Sequence, residues 1–217
     1  MAENTLKFSR KNSKEFVRTL NKRVNNYFKE NNIPKTGNIQ LYMKSAAMLS
    51  LMLLPYLSIL LFEFSAWYKI GLCLVIGVGM AGVGMNIMHD GNHGSYSKKK
   101  WLNKLMGGTI YILAGNVYNW QVQHNVLHHT YTNIHGHDED LDAGKVIRFS
   151  KGEKWRKFHR FQHIYSVFLY GLLTLNWAIT TDFVQTQRYL KRKLSYGKLP
   201  TAFKQWSSVA ISKTIYG

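Results

Sequence analysis

The sequence predicts an all-α protein, with polytopic membrane helices beneath a cytoplasmic helical cap that carries histidine clusters. Three observations predict it. Runs of about membrane-helix length carry no charge, basic residues crowd the segments beside them, and histidines recur at helical spacing near the apolar runs. The chain has 217 residues, with 29 Lys+Arg against 11 Asp+Glu for a net charge of +18. A hydrophobic fraction of 46% and an aromatic fraction of 14% exclude general disorder. A single cysteine, Cys73, excludes a disulfide scaffold and a cysteine-based zinc site, and reads as an inert membrane-helix residue.

Residues 1–44 form a basic cytoplasmic segment with ten Lys/Arg and three acidic residues. They contain no apolar run of the signal-peptide kind, so no cleavable leader is expected. Phe16, Leu20, Val24 and Phe28 recur every four residues, the spacing of an amphipathic helix. An ordinary solvated helix shows the same pattern; its place just before a membrane hairpin favours an anionic lipid face. Residues 45–88 are that hairpin. The uncharged runs 45–62 and 70–88 have 18 and 19 residues, and only Glu63 and Lys69 carry charge between them.

Residues 89–163 form a cytoplasmic or interfacial region. Its run 105–123 is uncharged, but Asn116, Asn119, Gln121 and Gln123 make the second half polar, so one interfacial or buried helix is expected there. Residues 164–181 are apolar, interrupted by Asn176 and rich in aromatics, and either span or lie at the interface. Residues 182–205 then hold six Lys/Arg against Asp182 alone. A span at 164–181 would put this charge outside, which favours the interfacial reading. The basic stretch leads into VAISKTIYG, which reads as the opening of a truncated span. The same bias places the amino terminus and the histidine-bearing region in the cytoplasm.

Two signals point elsewhere and fail. Gly77, Gly79 and Gly82 match GxGxxG, yet they sit in an uncharged run, and no acidic residue follows at the spacing a dinucleotide fold needs. Small residues there suit close helix packing. The +18 charge invites a nucleic-acid partner. No recognition motif accompanies it, and a membrane surface accounts for the same charge, so no nucleic acid is expected.

The chemistry lies in the histidines. His89 and His93 are four residues apart, as are His124 and His128, so each pair shares a helix face. His129 lies one step, ~100° of rotation, from His128. One HxxxH pair is weak evidence, since such pairs often lie on wet surfaces. Two clusters close in sequence at a membrane boundary are much stronger. Five imidazoles suit more than one ion of iron, zinc or copper. HExxH is absent, against a zinc protease, and ExxH is absent, against a carboxylate-rich di-iron bundle.

HDGNHGS at 89–95, HNVLHHTYTN at 124–133 and GHDEDLD at 136–142 closely resemble the first two histidine boxes of integral-membrane fatty acid desaturases. The likeness is strongest to the acyl-CoA, front-end (linoleoyl-CoA-like) branch, and it runs from the hairpin to at least Asn176. It implies two non-haem iron ions ligated by His89, His93, His124, His128 and His129. It also implies O₂ as co-substrate, electrons from cytochrome b5 or ferredoxin, and a double bond introduced into a fatty acyl-CoA or other acyl ester. The family's third box, QxxHH, does not occur in these 217 residues, and five donors are too few for two irons. An amino-terminal portion of a desaturase with an incomplete site is therefore expected. HPGG, the haem motif of cytochrome b5, is also absent, so the donor is expected to be a separate protein.

The resemblance leaves other residues with lesser roles. Asp90, Asn92, His135, His137, Asp138 and Asp140 either orient ligand imidazoles or cap a helix. Asn119 and Trp120 are candidates for lining an acyl tunnel, against ordinary buried packing. Arg156, Lys157, Arg160 and His163 are candidates for meeting an anionic acyl-CoA head, with His159 and His163 read as interfacial. Fatty acid hydroxylases and alkane monooxygenases share such boxes, and a non-catalytic membrane fragment is a third reading.

Overall fold

The computed structural model describes Leu6, Phe8, residues 13–142 and residues 144–216. The rest of the expected basic segment, residues 1–5, 7 and 9–12, lies outside the described residues. The described residues form helices and loops, with no strand.

Helix α1, Lys14–Glu30, buries none of its residues. Helix α2, Ile39–Leu61, starts at Asn38, whose side chain accepts the Leu41 N–H at 3.1 Å. Helix α3 runs from Ala66 to His93. Both are long and apolar enough to cross a membrane; the 23 residues of α2 reach ~35 Å against a hydrocarbon core of ~30 Å. These two helices occupy the residues expected for the hairpin, the second beginning at Ala66.

The glycines of the GxGxxG run explain how the arms meet. A Cβ on Gly79 would lie 2.5 Å from the Met52 backbone nitrogen, and one on Gly82 would strike the Met48 side chain at 2.2 Å. Gly77 faces open space. Two of the three glycines therefore serve close helix approach. Below them Met52, Val83, Ile87, Tyr96 and Leu113 form a buried apolar cluster, and the Lys44 and Asn86 side chains hydrogen-bond across the hairpin.

Within α3, Val83–Met88 form a wider π-helical stretch with i→i+5 bonding. The helix stops at Gly94 with φ +72°, whose N–H bonds Gly91 O while Ser95 N–H bonds Asp90 O. Buried Asn103 ties down the next loop, accepting the Ser97 N–H at 2.7 Å and donating to the Gly94 and Ser97 carbonyls. It belongs to α4, Lys100–Gly107.

Gly91 lets α3 touch the end of α4. A Cβ there would lie 2.3 Å from the Gly107 nitrogen, a backbone atom that cannot step aside. Gly91→Ala is expected to push the two helices apart and break the 3.0 Å bond from Asn92 to Gly107 O. The expected cost is ~1–3 kcal/mol, read as a lowered melting temperature in detergent; an unchanged melt would contradict the packing.

The single helix expected over 105–123 is not formed. After α4 the chain tightens into a 3₁₀ stretch, Gly108–Leu113, and reverses at Ala114 with φ +65°. It restarts at Asn116, whose side chain accepts the Tyr118 and Asn119 N–H groups. Val117–Trp120, the π stretch Gln121–His128 and His129–Tyr131 then run on as α5. The break is a buried one, with Ile110, Leu113, Ala114 and Asn116 all enclosed.

A 3₁₀ turn, Lys157–Phe161, leads into α6, Gln162–Gly171, and α7 follows over Leu173–Lys191. The rod through the two bends by 57° at this break. Ten residues of α6 reach only ~15 Å, half the core thickness. The run 164–181 is therefore no straight span: the described residues hold two helices long and apolar enough to cross a membrane, or three if the bent pair counts as one. Helix α8, Ala202–Tyr216, has 15 residues and buries Gln205, Val209 and Ser212.

A buried polar spine joins α5, α7 and α8. Asp182, fully enclosed, pairs with Lys213 at 2.5 Å and accepts Asn119 Nδ2 at 3.0 Å. Lys213 also donates to the Ala114 and Trp177 carbonyls, and Thr186 donates to Asn119 Oδ1. Gln205 and Ser208 of α8 both bond the Asn116 side chain.

Candidate metal centre

Two helix ends bring five imidazoles together. The π stretch of α3 hands over to α-helix at His89, so His89 and His93 project on one face, with Nε2 atoms 3.2 Å apart. Two nitrogens bound to one ion at about 2.1 Å each stand roughly 3.0–3.4 Å apart, so this pair already has the separation that one metal requires. His124 and His128, on the π stretch of α5, stack with centroids 5.1 Å apart and planes at 20°. His129 closes the group, 5.0 Å from His93 and 4.9 Å from His124.

Donor atoms of His89, His93 and His124 lie within 4.8 Å of one another, and so do those of His124, His128 and Asp140. His124 is common to both sets. Such donors suit a transition metal, and their number allows more than one ion.

Carboxylates stand behind the rings. Both oxygens of Asp138 lie 3.1 Å from His128 Nδ1. They also accept the Asn133 N–H at 2.8 Å and the Asp140 N–H at 3.0 Å, so Asp138 both orients an imidazole and caps the following turn. Asp140 lies 3.4 Å from His124 Nδ1 and 3.3 Å from His128 Nδ1, and accepts Gln123 Nε2 at 2.7 Å. Asp90 is 3.3 Å from His89 Nδ1. Proton donation at Nδ1 leaves each Nε2 lone pair for a metal.

Residues 65–214 match the family model of fatty acid desaturases. The chain belongs to the fatty acid desaturase family. It is 37% identical over 210 residues to an sn-1 linoleoyl-lipid 6-desaturase of Arthrospira platensis, covering 97% of this chain and 56% of that one. The namesake from Synechocystis is 32% identical over 185 residues, covering 80% and 48%. An acyl-lipid (8-3)-desaturase of Physcomitrium patens is 31% identical over 182 residues, covering 83% and 38%. The chain thus spans about half the length, or less, of these curated relatives. No solved structure matches it.

In this desaturase-family site Trp120 lies against the histidines, stacked on His124 at 4.5 Å and edge-on to His89 and His93. Asn119, grouped with it in the sequence, is fully enclosed and committed to Asp182 and Thr186. Asn92 is the knot between the two helices. Gln121 donates to its Oδ1 and Asn125 to its carbonyl, while its own amide holds Met88 and Gly107.

His137 packs on the Tyr131 ring at 5.2 Å, and His135 lies against Gly152. His159, read as interfacial, is buried, its ring between the Arg156 N–H and the Lys145 carbonyl. Arg160 rests on the Phe161 ring. Arg156, Lys157 and His163 share that turn and the first residues of α6.

Sequence reasoning missed Gln121, Gln123, Asn125 and Gln185, whose amides join the cluster to its neighbours. The signal was available: a run of Asn and Gln directly before a histidine pair. A cleft of about 780 Å³ opens beside Asp140, Gln123 and Gln185, and extends to Leu169, Leu172 and Leu173.

Burial, then the charges of His124, His128 and His89, lower the pKa of His129. Burial raises that of Asp140, but hydrogen bonds from His124 and Gln123 and the nearby imidazole charges outweigh it and hold the carboxyl low. Both shifts favour the neutral imidazole and the charged carboxylate, the forms that bind metal. Asp138→Asn is expected to weaken metal binding by ~10–100-fold, because an amide can accept only through one oxygen. Titration of the purified protein with Fe(II) or Co(II) measures it; wild-type affinity would contradict the orienting role.

Proposed function

We propose that this chain carries the histidine-rich part of an O₂-dependent acyl desaturase that acts on acyl groups esterified in membrane lipid. The observation that carries the reading is the convergence of five imidazoles, from α3 and α5, at one end of a membrane hairpin. The names of the relatives, linoleoyl-lipid and acyl-lipid desaturases, favour lipid esters over acyl-CoA and desaturation over hydroxylation.

His89, His93, His124, His128 and His129 would hold two non-haem irons. Five donors fall short of four or more per ion, so further ligands complete the centre. Bound iron supplies the O₂ activation needed to take hydrogen from an unactivated methylene, which no side chain can do.

The residues of the chain do the rest. Asp138, Asp140 and Asp90 hold the imidazole protons at Nδ1. Trp120 shields the rings from water. The cleft between Asp140 and the leucines of α6 and α7 leads an acyl chain toward the cluster, and Arg156, Lys157, Arg160 and His163 meet a phosphate or carboxylate head at the interface. The histidine side faces the cytoplasm, where cytochrome b5 or ferredoxin delivers electrons.

Expression of the full-length protein in a host supplied with linoleate, followed by mass spectrometry of its lipid acyl chains, tests the reading. A new double bond supports it; a hydroxylated chain would assign the site to the hydroxylase class. An unchanged profile from protein with iron bound would leave a non-catalytic membrane protein.

A further inference from the structure

Helix α1 contributes no residue to the metal centre. At 100° per residue, Phe16, Tyr27, Leu20, Val24, Val17 and Phe28 fall within one arc of ~120° that contains no polar residue. Arg18, Lys22 and Lys29 lie together on the other side, and Arg23 and Lys14 border the apolar arc. Apart from half-buried Phe28, the stripe is open: Phe16 is 68% exposed and Tyr27 58%.

Both flanks of α1 are fixed to the histidine-bearing side of the molecule. Before it, Phe8 packs on Tyr131, the last residue of α5, at 6.1 Å. After it, the Gly37 N–H bonds the Ser95 carbonyl at 3.2 Å, two residues beyond His93. Eight residues, 31–38, separate α1 from the first span.

Helix α4 offers a second surface of the same kind at the same level. Trp101 and Leu105, four residues apart, are 61% and 57% exposed, with the exposed lysines 98–100 at its start and Lys104 beside them. An uncovered apolar stripe backed by cations, held where two spans leave the membrane, matches the boundary between acyl chains and anionic headgroups.

We propose that α1 and α4 form an interfacial platform that binds an anionic lipid surface on the histidine side of the membrane. The apolar arcs enter the headgroup boundary, and the cations beside them, Arg23 and Lys14 on α1 and the lysines of α4, meet lipid phosphates. The platform sets the depth of the five imidazoles relative to the acyl chains. A covering protein subunit is the competing occupant, and the test separates the two.

The full chain, with Cys73→Ser, is reconstituted into phosphatidylcholine vesicles with or without phosphatidylglycerol. An environment-sensitive fluorophore is placed at Leu20→Cys, Leu105→Cys or, on the polar arc, Asn26→Cys. In anionic vesicles the labels at positions 20 and 105 should shift to the blue and be quenched by nitroxide-bearing lipid, while the label at 26 stays in water. Lys14→Gln and Arg23→Gln, at the two borders of the apolar arc, should each weaken the response about fivefold, the equivalent of ~1 kcal/mol per basic residue.

Three results would overturn the proposal. The labels at 20 and 105 are as wet as that at 26; they shift without lipid quenching, which means that protein covers them; or they respond equally in neutral and anionic vesicles. None of these readouts depends on metal or on activity.

Discussion

His124→Ala is expected to remove metal binding altogether, a larger effect than any other single histidine substitution. His124 is the shared member of both donor sets. Its ring lies 5.1 Å from His89, 5.2 Å from His93, 5.1 Å from His128 and 4.9 Å from His129. Loss of His89 or His128 strips one set of a donor and leaves the other whole, whereas loss of His124 breaks both. Removing an orienting group around a metal costs ~10–100-fold in affinity, and removing a ligand at the centre of the cluster must exceed that. Titration with Co(II), followed by its visible absorption, measures the loss, with His137→Ala as control because His137 packs on Tyr131. If His124→Ala binds like wild type, the two donor sets are not the metal site.

Lys213→Met is expected to cause the largest loss of stability. Asp182 is fully enclosed, and Lys213 is its ion-pair partner at 2.5 Å. Without the ammonium, Asn119 Nδ2 would be the remaining donor to that carboxylate seen here. Breaking a buried pair by removing one partner costs ~3–5 kcal/mol, because a desolvated charge stays behind.

Asp182→Asn added to Lys213→Met should recover much of that loss, since a neutral amide can still accept from Asn119. Denaturant unfolding in detergent of both single variants and the double closes the cycle. Additive effects would mean that the pair is not coupled. Because Asn119 lies on α5, one turn ahead of His124, Lys213→Met should also lower metal affinity.

Much of this was legible in the sequence. The hairpin and the histidine pairs are local patterns: uncharged runs and four-residue spacing report a helix and its face without knowledge of any partner. The break in 105–123 was not, because Ala114 in a left-handed conformation and the capping by Asn116 leave no periodic trace. The bend at Leu172 was equally hidden, since an apolar run reads the same whether straight or folded. The buried spine joins Asn119 to Asp182 and Asp182 to Lys213, 63 and 31 residues apart, so only the fold could bring them together. Asp138 had two competing roles in the sequence, orienting and capping, and its carboxylate makes contacts of both kinds, to His128 Nδ1 and to the Asp140 N–H.

Three times among the described residues a helix adopts i→i+5 bonding: at Val83–Met88, Gln121–His128 and Trp177–Thr181. The first abuts His89, the second contains His124 and His128, and the third ends one residue before Asp182. Each acts as a phase shifter. An added residue delays the rotation of everything downstream by ~100°, so one helix can obey two surroundings that want different phases. Up to Gly82 the face of α3 is dictated by α2 and the bilayer; from His89 it is dictated by the metal centre. The lipid-facing pattern and the metal-facing pattern can then change independently, because the rotation between them is set in the segment that separates them.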